Sequence, residues 1–315
     1  MSALPRSLSY FLNRMSGYIR NQIMLRAQNQ DSARPGDTVV VDLPQGLVDL
    51  RTLTMHFDLT TAATAAAQDP QAVLLAPKHA ECLIQDILVE AGGILIDSCQ
   101  NANQLFKILA DYTLGQDCSI AREMLALGGD VPEVAKDTEA LHANVPVAIN
   151  NFMGFLSSAR PECIDTSLLP QPLKLYFRLA PLSTYAARAA TAPSATMANV
   201  RFTIDVLDCG PLYSEMLACR LQEGPIEIPF QRWFTFTSGA QGATQDTRFS
   251  VSSQSIDLIL GTCMAPAYIT GGSAINAVTG TSHHFSRVGV ASSAFTLNNV
   301  RFPMFNTTPA TILKT

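Results

Sequence analysis

Between Leu50 and Thr60 the sequence reads LRTLTMHFDLT, with an apolar residue at almost every second position. Successive side chains of a strand point to opposite faces. Leu53, Met55, Phe57 and Leu59 would therefore share one side of a sheet, and Thr52, Thr54, His56 and Asp58 the other. A helix would scatter the same residues around its circumference. The stretch predicts a half-buried strand whose apolar face needs a second layer over it. β-branched and aromatic residues recur in near alternation at Thr38–Leu43, Val147–Phe155, Leu173–Leu179 and Asn199–Leu207. Cys82–Val89 and Ile94–Cys99 flank Gly92–Gly93, which predicts a tight hairpin.

Helical spacing is confined to three places. Leu105, Phe106, Ile108, Leu109 and Tyr112 predict a short helix over Asn103–Leu114, and Gly210–Gln222 opens with a proline suited to a helix start. In Leu4–Asn29, apolar residues at three- and four-residue steps alternate with Arg6, Arg14, Arg20 and Arg26 and predict a basic amphipathic helix. That segment carries a charge of +4 in a chain of net charge −5, which leaves −9 for the rest. Asp31–Asp37 (DSARPGD) reads as a linker. Loops are expected at Thr60–Gln68, at 128–146 and at Ser183–Ala198. After Gly224–Pro225, strand-like runs return at Ile226–Thr237, Thr247–Ser252, Ile256–Met264, His284–Val290 and Phe295–Phe302, separated by glycine turns. The chain thus divides into a basic arm and linker (1–37), a first β region (38–209), a connecting helix (210–223) and a second β region (224–315). Short strands with few helices between them imply antiparallel sandwiches or barrels, not βαβ units.

Only 15% of the residues are charged, against about 25% in an ordinary globular chain. A surface so poor in charge favours a subunit that covers part of itself with partners. The negative net charge argues against a globally basic nucleic-acid binder. No apolar run reaches 18 residues, and arginines interrupt the N-terminal apolar positions, so neither a spanning helix nor a signal peptide is expected. The seven cysteines form no CxxC pair, which suits reduced, buried thiols and argues against a zinc site.

Catalytic chemistry finds little support. The histidines His56, His79, His142, His283 and His284 are scattered, and no GxSxG occurs. Asp205 and Asp208 fall in and at the end of a strand, which suits a turn role better than paired acid–base work. Gly92–Gly93 and Gly271–Gly272 lie between strands, as turns do and phosphate loops do not. Phe230, Trp233, Phe234 and Phe236 form an aromatic cluster in PFQRWFTF. A core or interface role is expected for it, with a carbohydrate-stacking platform, as in a lectin-like or spike module, as the alternative function. Asn306-Thr307-Thr308 matches a glycosylation sequon and is read as incidental without a secretory signal. Neither an enzyme nor a cofactor, metal or small-molecule substrate is expected.

Taken together, the basic arm at Leu4–Asn29, the hairpin and helix LIQDILVEAGGILIDSCQNANQLFKILADY at Leu83–Tyr112, the strand NVRFTIDVL at Asn199–Leu207, and IEIPFQRWFTFT followed by SIDLILGTCMAP resemble the layout of one family. This is the double jelly-roll major capsid proteins of tailless icosahedral viruses, the group of adenovirus hexon and the internal-membrane phages. The resemblance implies an all-β fold of two jelly rolls and a structural role in the virion, after synthesis in the host cytoplasm. It also implies homotrimers of pseudo-hexameric outline that meet neighbouring capsomers, penton and minor capsid proteins. The arm, through Arg6, Arg14, Arg20 and Arg26, would face an internal membrane or the packaged genome. The second β region is short for eight strands, so it is expected to be compact or completed by further residues or another chain.

Overall fold

The computed structural model describes residues 18–64, 80–113, 145–182, 191–238, 247–251, 253, 255–262, 294–297 and 300–302. Eight principal strands lie between residues 19 and 208: β1 (Ile19–Arg26), β2 (Thr38–Asp42), β3 (Leu47–Thr64), β4 (Ile84–Ala91), β5 (Ile94–Cys99), β6 (Val145–Ile149), β8 (Leu173–Leu179) and β9 (Thr191–Asp208). A three-residue strand, β7 (Cys163–Asp165), pairs with the start of β3. One sheet runs β1-β9-β3-β6 and the other β2-β8-β4-β5, with every pairing antiparallel. Apart from the β4–β5 hairpin, successive principal strands cross from one sheet to the other. Eight strands in this order, forming two Greek keys, are a jelly roll.

The alternation in the sequence places the core. On β8, Leu173, Leu175, Phe177 and Leu179 point inward and are buried, while Lys174, Tyr176 and Arg178 face out. Leu53, Met55, Phe57 and Leu59 of β3 and Val39 and Val41 of β2 complete the inner faces. Phe177 joins the two sheets, with its ring 5.3 Å from Phe202 of β9 and 5.1 Å from Phe152. The β4–β5 hairpin turns at Gly92 and Gly93, whose φ values of 58° and 84° a side chain would strain. Helix α1 (Ala102–Thr113) follows and buries Leu105, Phe106 and Ala110. A short helix α2 (Phe155–Ser158) and the connecting helix α3 (Gly210–Glu223) lie further along the chain.

Three expectations are corrected. Residues 19–26 are a strand, not part of an amphipathic helix. Their apolar positions fit period two as well as helical spacing, and the ladder with β9 decides, with Ile23 opposite Ile204 and Leu25 opposite Phe202. The jelly roll therefore starts at Ile19, while residues 1–17 lie outside the described ones. Next, the low-complexity ends Thr60–Thr64 and Thr191–Ala198 are strand, not loop. They pair with each other, Thr60 with Thr196 and Thr64 with Thr191. Last, among the described residues after Gly224 the only ladder is the hairpin β10 (Phe295–Leu297)–β11 (Val300–Phe302). Ile226–Thr237 and 255–262 have alternation but no partner edge there, and alternation alone does not make a strand. His284–Val290 lies outside the described residues.

Candidate assembly surface

The polypeptide after α3 returns to the jelly roll and seats residues 228–236 on it. Pro229 accepts a hydrogen bond from the Arg160 amide at 3.0 Å. The Gln231 amide donates to Ser158 Oγ at 2.9 Å, and the Thr235 hydroxyl donates to the Gln100 carbonyl at 2.8 Å. Phe230 meets Phe155 edge to face at 5.2 Å. Beneath them Asp97, only 2% exposed, accepts from the amides of Ser98 (2.9 Å) and Phe155 (2.8 Å), and Arg232 approaches it at 3.7 Å. A Cβ on Gly154 would lie 2.2 Å from Asp97 Oδ2, so glycine is required for the carboxylate to reach the Phe155 amide.

The aromatic cluster divides across this seat. Phe230 and Trp233 are partly buried against the jelly-roll core. Trp233 is thereby engaged with the core. Phe234 and Phe236 stay about half exposed. Arg232 lies over the Phe234 ring at 5.3 Å, and Phe236 stacks on Phe249 at 4.8 Å. Further apolar side chains stand open nearby in sequence, including Ile226, Ile256 and Leu258, and Ile94 and Leu95 project at the hairpin tip.

Of the four arginines expected on the arm, Arg6 and Arg14 lie outside the described residues. Arg20 and Arg26 sit on β1. Arg20 bonds Asp205 and approaches Asp49 at 3.8 Å. The Asp205 hydrogen bond, then its charge, raises the Arg20 pKa above its ordinary value. Arg20 is committed to carboxylates on the sheet surface. The Asp205 amide donates to Thr52 Oγ1, and Asp208 accepts from the Gly210 amide at the turn into α3. Cys82 and Cys99 are buried thiols outside any disulfide, Cys163 and Cys209 are half-buried and Cys219 is exposed. Burial first, then Asp97 and Asp86, pushes Cys99 up to about 12. His56 lies on the outer face of β3, 3.0 Å from Thr203 Oγ1. The other histidines lie outside the described residues, and no group of three or more metal-ligating side chains occurs among the described ones. Nor is any helix among them long and apolar enough to cross a membrane. Asp97 and Gly154 were not singled out from the sequence, because neither belongs to a local pattern.

The fold defines the chain as a jelly-roll protein. No family model and no curated protein matches it. Among solved structures it is similar to the PBCV-1 capsid protein VP54, fitted into a reconstruction of the virophage Sputnik, with 18% identity, 64% of this chain and 45% of that one covered, and a TM-score of 0.45. It is similar to the Faustovirus major capsid protein with 8% identity, 65% and 57% covered, and a TM-score of 0.40. The major capsid protein P2 of bacteriophage PM2 follows with 14% identity, 57% and 50% covered, and a TM-score of 0.24. The chain spans about half the length of these proteins.

Proposed function

We propose that this chain is a structural subunit of an icosahedral virus shell, a major capsid protein that assembles as trimeric capsomers. The observation that carries the reading is the polarity of the jelly roll. Strands β3 and β9, 18 residues each, run its full height, about 60 Å at 3.3 Å per residue. Ile19 pairs with Asp208 at one end, while Thr64 pairs with Thr191 at the other. Entry and exit of the polypeptide share one end, and Thr64 and Thr191 stand at the opposite one. A block built so can stand upright in a shell, with one end inward and the other outward. The basic residues Arg6 and Arg14 precede the inward end and would meet an internal membrane or the packaged genome. Residues 224–315 contribute the second barrel, seated through 228–236, and neighbouring capsomers, penton and minor proteins are the further partners. Exposed apolar side chains at the seat and hairpin tip are surface that a shell would cover.

Light scattering and negative-stain imaging of one purified peak test this. A particle of three times 33.9 kDa, about 102 kDa, with a six-cornered outline is expected. Removing residues 1–17, which spares β1, should leave the trimer and impair shell assembly. A monomer at all concentrations would overturn the reading.

A further inference from the structure

The two sheets have four edges, and three are protected. β2 is five residues long, and its open side is engaged by the preceding chain: the Gln28 amide donates to the Val40 carbonyl, the Val40 amide to Asn29 Oδ1, and Asn29 Nδ2 to the Thr38 carbonyl. β6 is also five residues long and contains Pro146, which has no amide proton to offer. β5 has six residues, lies beside a register shift at Val89/Glu90, and leads to Gln100, whose carbonyl Thr235 takes. β1 has none of these devices. Its eight residues pair with β9 in unbroken register, without proline, glycine or lysine, and among the described residues the sheet order ends on it. Tyr18, Ile19 and Met24 are 62%, 61% and 58% exposed, and Ile23 is 37% exposed. A long, regular edge with exposed apolar side chains is a pairing site.

We infer that β1 pairs antiparallel with β1 of a second copy of this chain, about a two-fold axis through Gln22. The sequence of the edge selects this partner and this register. Opposed residues must lie on the same face, so the register can move only by two. Centred on Gln22, all nine residues from Tyr18 to Arg26 engage: Ile19 opposes the second copy's Leu25, Asn21 its Ile23, Arg20 its Met24, and Tyr18 its Arg26. Ile19 meets Leu25 on the inner face, an arginine meets an aromatic face at each end, and no like charges oppose. Centring on Ile23 would set Arg20 against Arg26 twice. Centring on Asn21 would set Tyr18 against Met24 and give up both arginine–tyrosine contacts. The contact is isologous and closes as a two-fold. It joins copies pairwise, in addition to any threefold contact within a capsomer, and does not rest on that reading.

The test is Gln22→Cys in the full chain, oxidised mildly with copper–phenanthroline beside the unsubstituted chain, because Cys219 is itself exposed. The expected product is a covalent dimer whose linked peptide carries position 22 of both copies. Adding Met24→Arg sets like charges opposite Arg20 at both symmetry-related places and should weaken the noncovalent dimer about tenfold. Two outcomes would overturn the inference. In one, a dimer is linked only through other cysteines. In the other, no dimer forms, whether the thiol at position 22 is freely alkylated or shielded within its own chain. Trimers without a link at position 22 would refute this pairing and leave the capsomer reading standing.

Discussion

Gly154 and Asp97 should behave as one unit when mutated. Gly154 has φ 76° and ψ −136°, a region in which a side chain costs about 1–3 kcal/mol. Its missing Cβ also leaves the space that Asp97 Oδ2 occupies on its way to the Phe155 amide. Gly154→Ala must therefore strain the backbone and push a buried carboxylate off its donor, a bond worth about 1.5–3 kcal/mol, for a loss of about 4 kcal/mol. Asp97→Ala leaves the Phe155 and Ser98 amides without their acceptor and should cost about 3 kcal/mol. In the double variant the clash has no second party and the bond is already gone. The combined loss should then be about 5 kcal/mol, leaving about 2 kcal/mol of coupling. Urea unfolding of the four proteins, with m unchanged, measures the cycle. Additivity within about 0.5 kcal/mol would refute the claim that glycine is there to admit the carboxylate.

Phe177→Ala, which empties a fully buried site between Phe152 and Phe202, should cost about 4 kcal/mol, whereas Phe236→Ala at its half-exposed place should cost under about 1 kcal/mol; denaturant midpoints compare them. At pH 8 an alkylating reagent should label Cys219 at once and leave Cys99 untouched in the native protein, since a thiol raised to about 12 is thiolate in roughly one molecule in ten thousand and is buried as well; peptide mapping reads the order. Burial, then Arg201, lowers the His56 pKa, so the unfolded chain takes up a proton first as pH falls below about 6.5. Stability from this group is present above that pH and lost as pH falls through the depressed folded value. His56→Gln should therefore flatten the pH dependence of unfolding between pH 7.5 and 5.5.

Strands whose partners differ in polarity on two faces were legible from the sequence, because burial on one side writes a period of two. Leu173–Leu179 and Leu50–Thr60 are of this kind, and the hairpin at Gly92–Gly93 is fixed by backbone conformation alone. Thr60–Thr64 and Thr191–Ala198 were not legible: each is an ordinary loop composition until the other lies beside it, some 130 residues away in the chain. β1 failed for a related reason. Exposed on both faces, it carries no burial signal, and its spacing suited a helix equally well. The seat for 228–236 depends on Asp97, Ser158 and Arg160, which no local pattern unites.

The position of β1 in the topology sets how firmly it is held. Its ladder joins Ile19 to Asp208, the longest closure in the jelly roll, at an entropic cost of about 5 kcal/mol over some 190 residues. Strand β8, by contrast, is central in its sheet, and Leu173, Leu175, Phe177 and Leu179 are all buried. Among the described residues β1 has one strand neighbour, and only Leu25 among its side chains is even partly buried. Little apolar burial offsets the cost of closing the ladder, so β1 should open locally well before the sandwich unfolds. Hydrogen exchange should show the amides that β1 gives to β9 exchanging far ahead of those of β8, with protection rising with protein concentration as second copies cover the edge. Protection of β1 equal to that of β8 in the dilute protein would mean that something already holds this edge, and the strand would have to be counted as core.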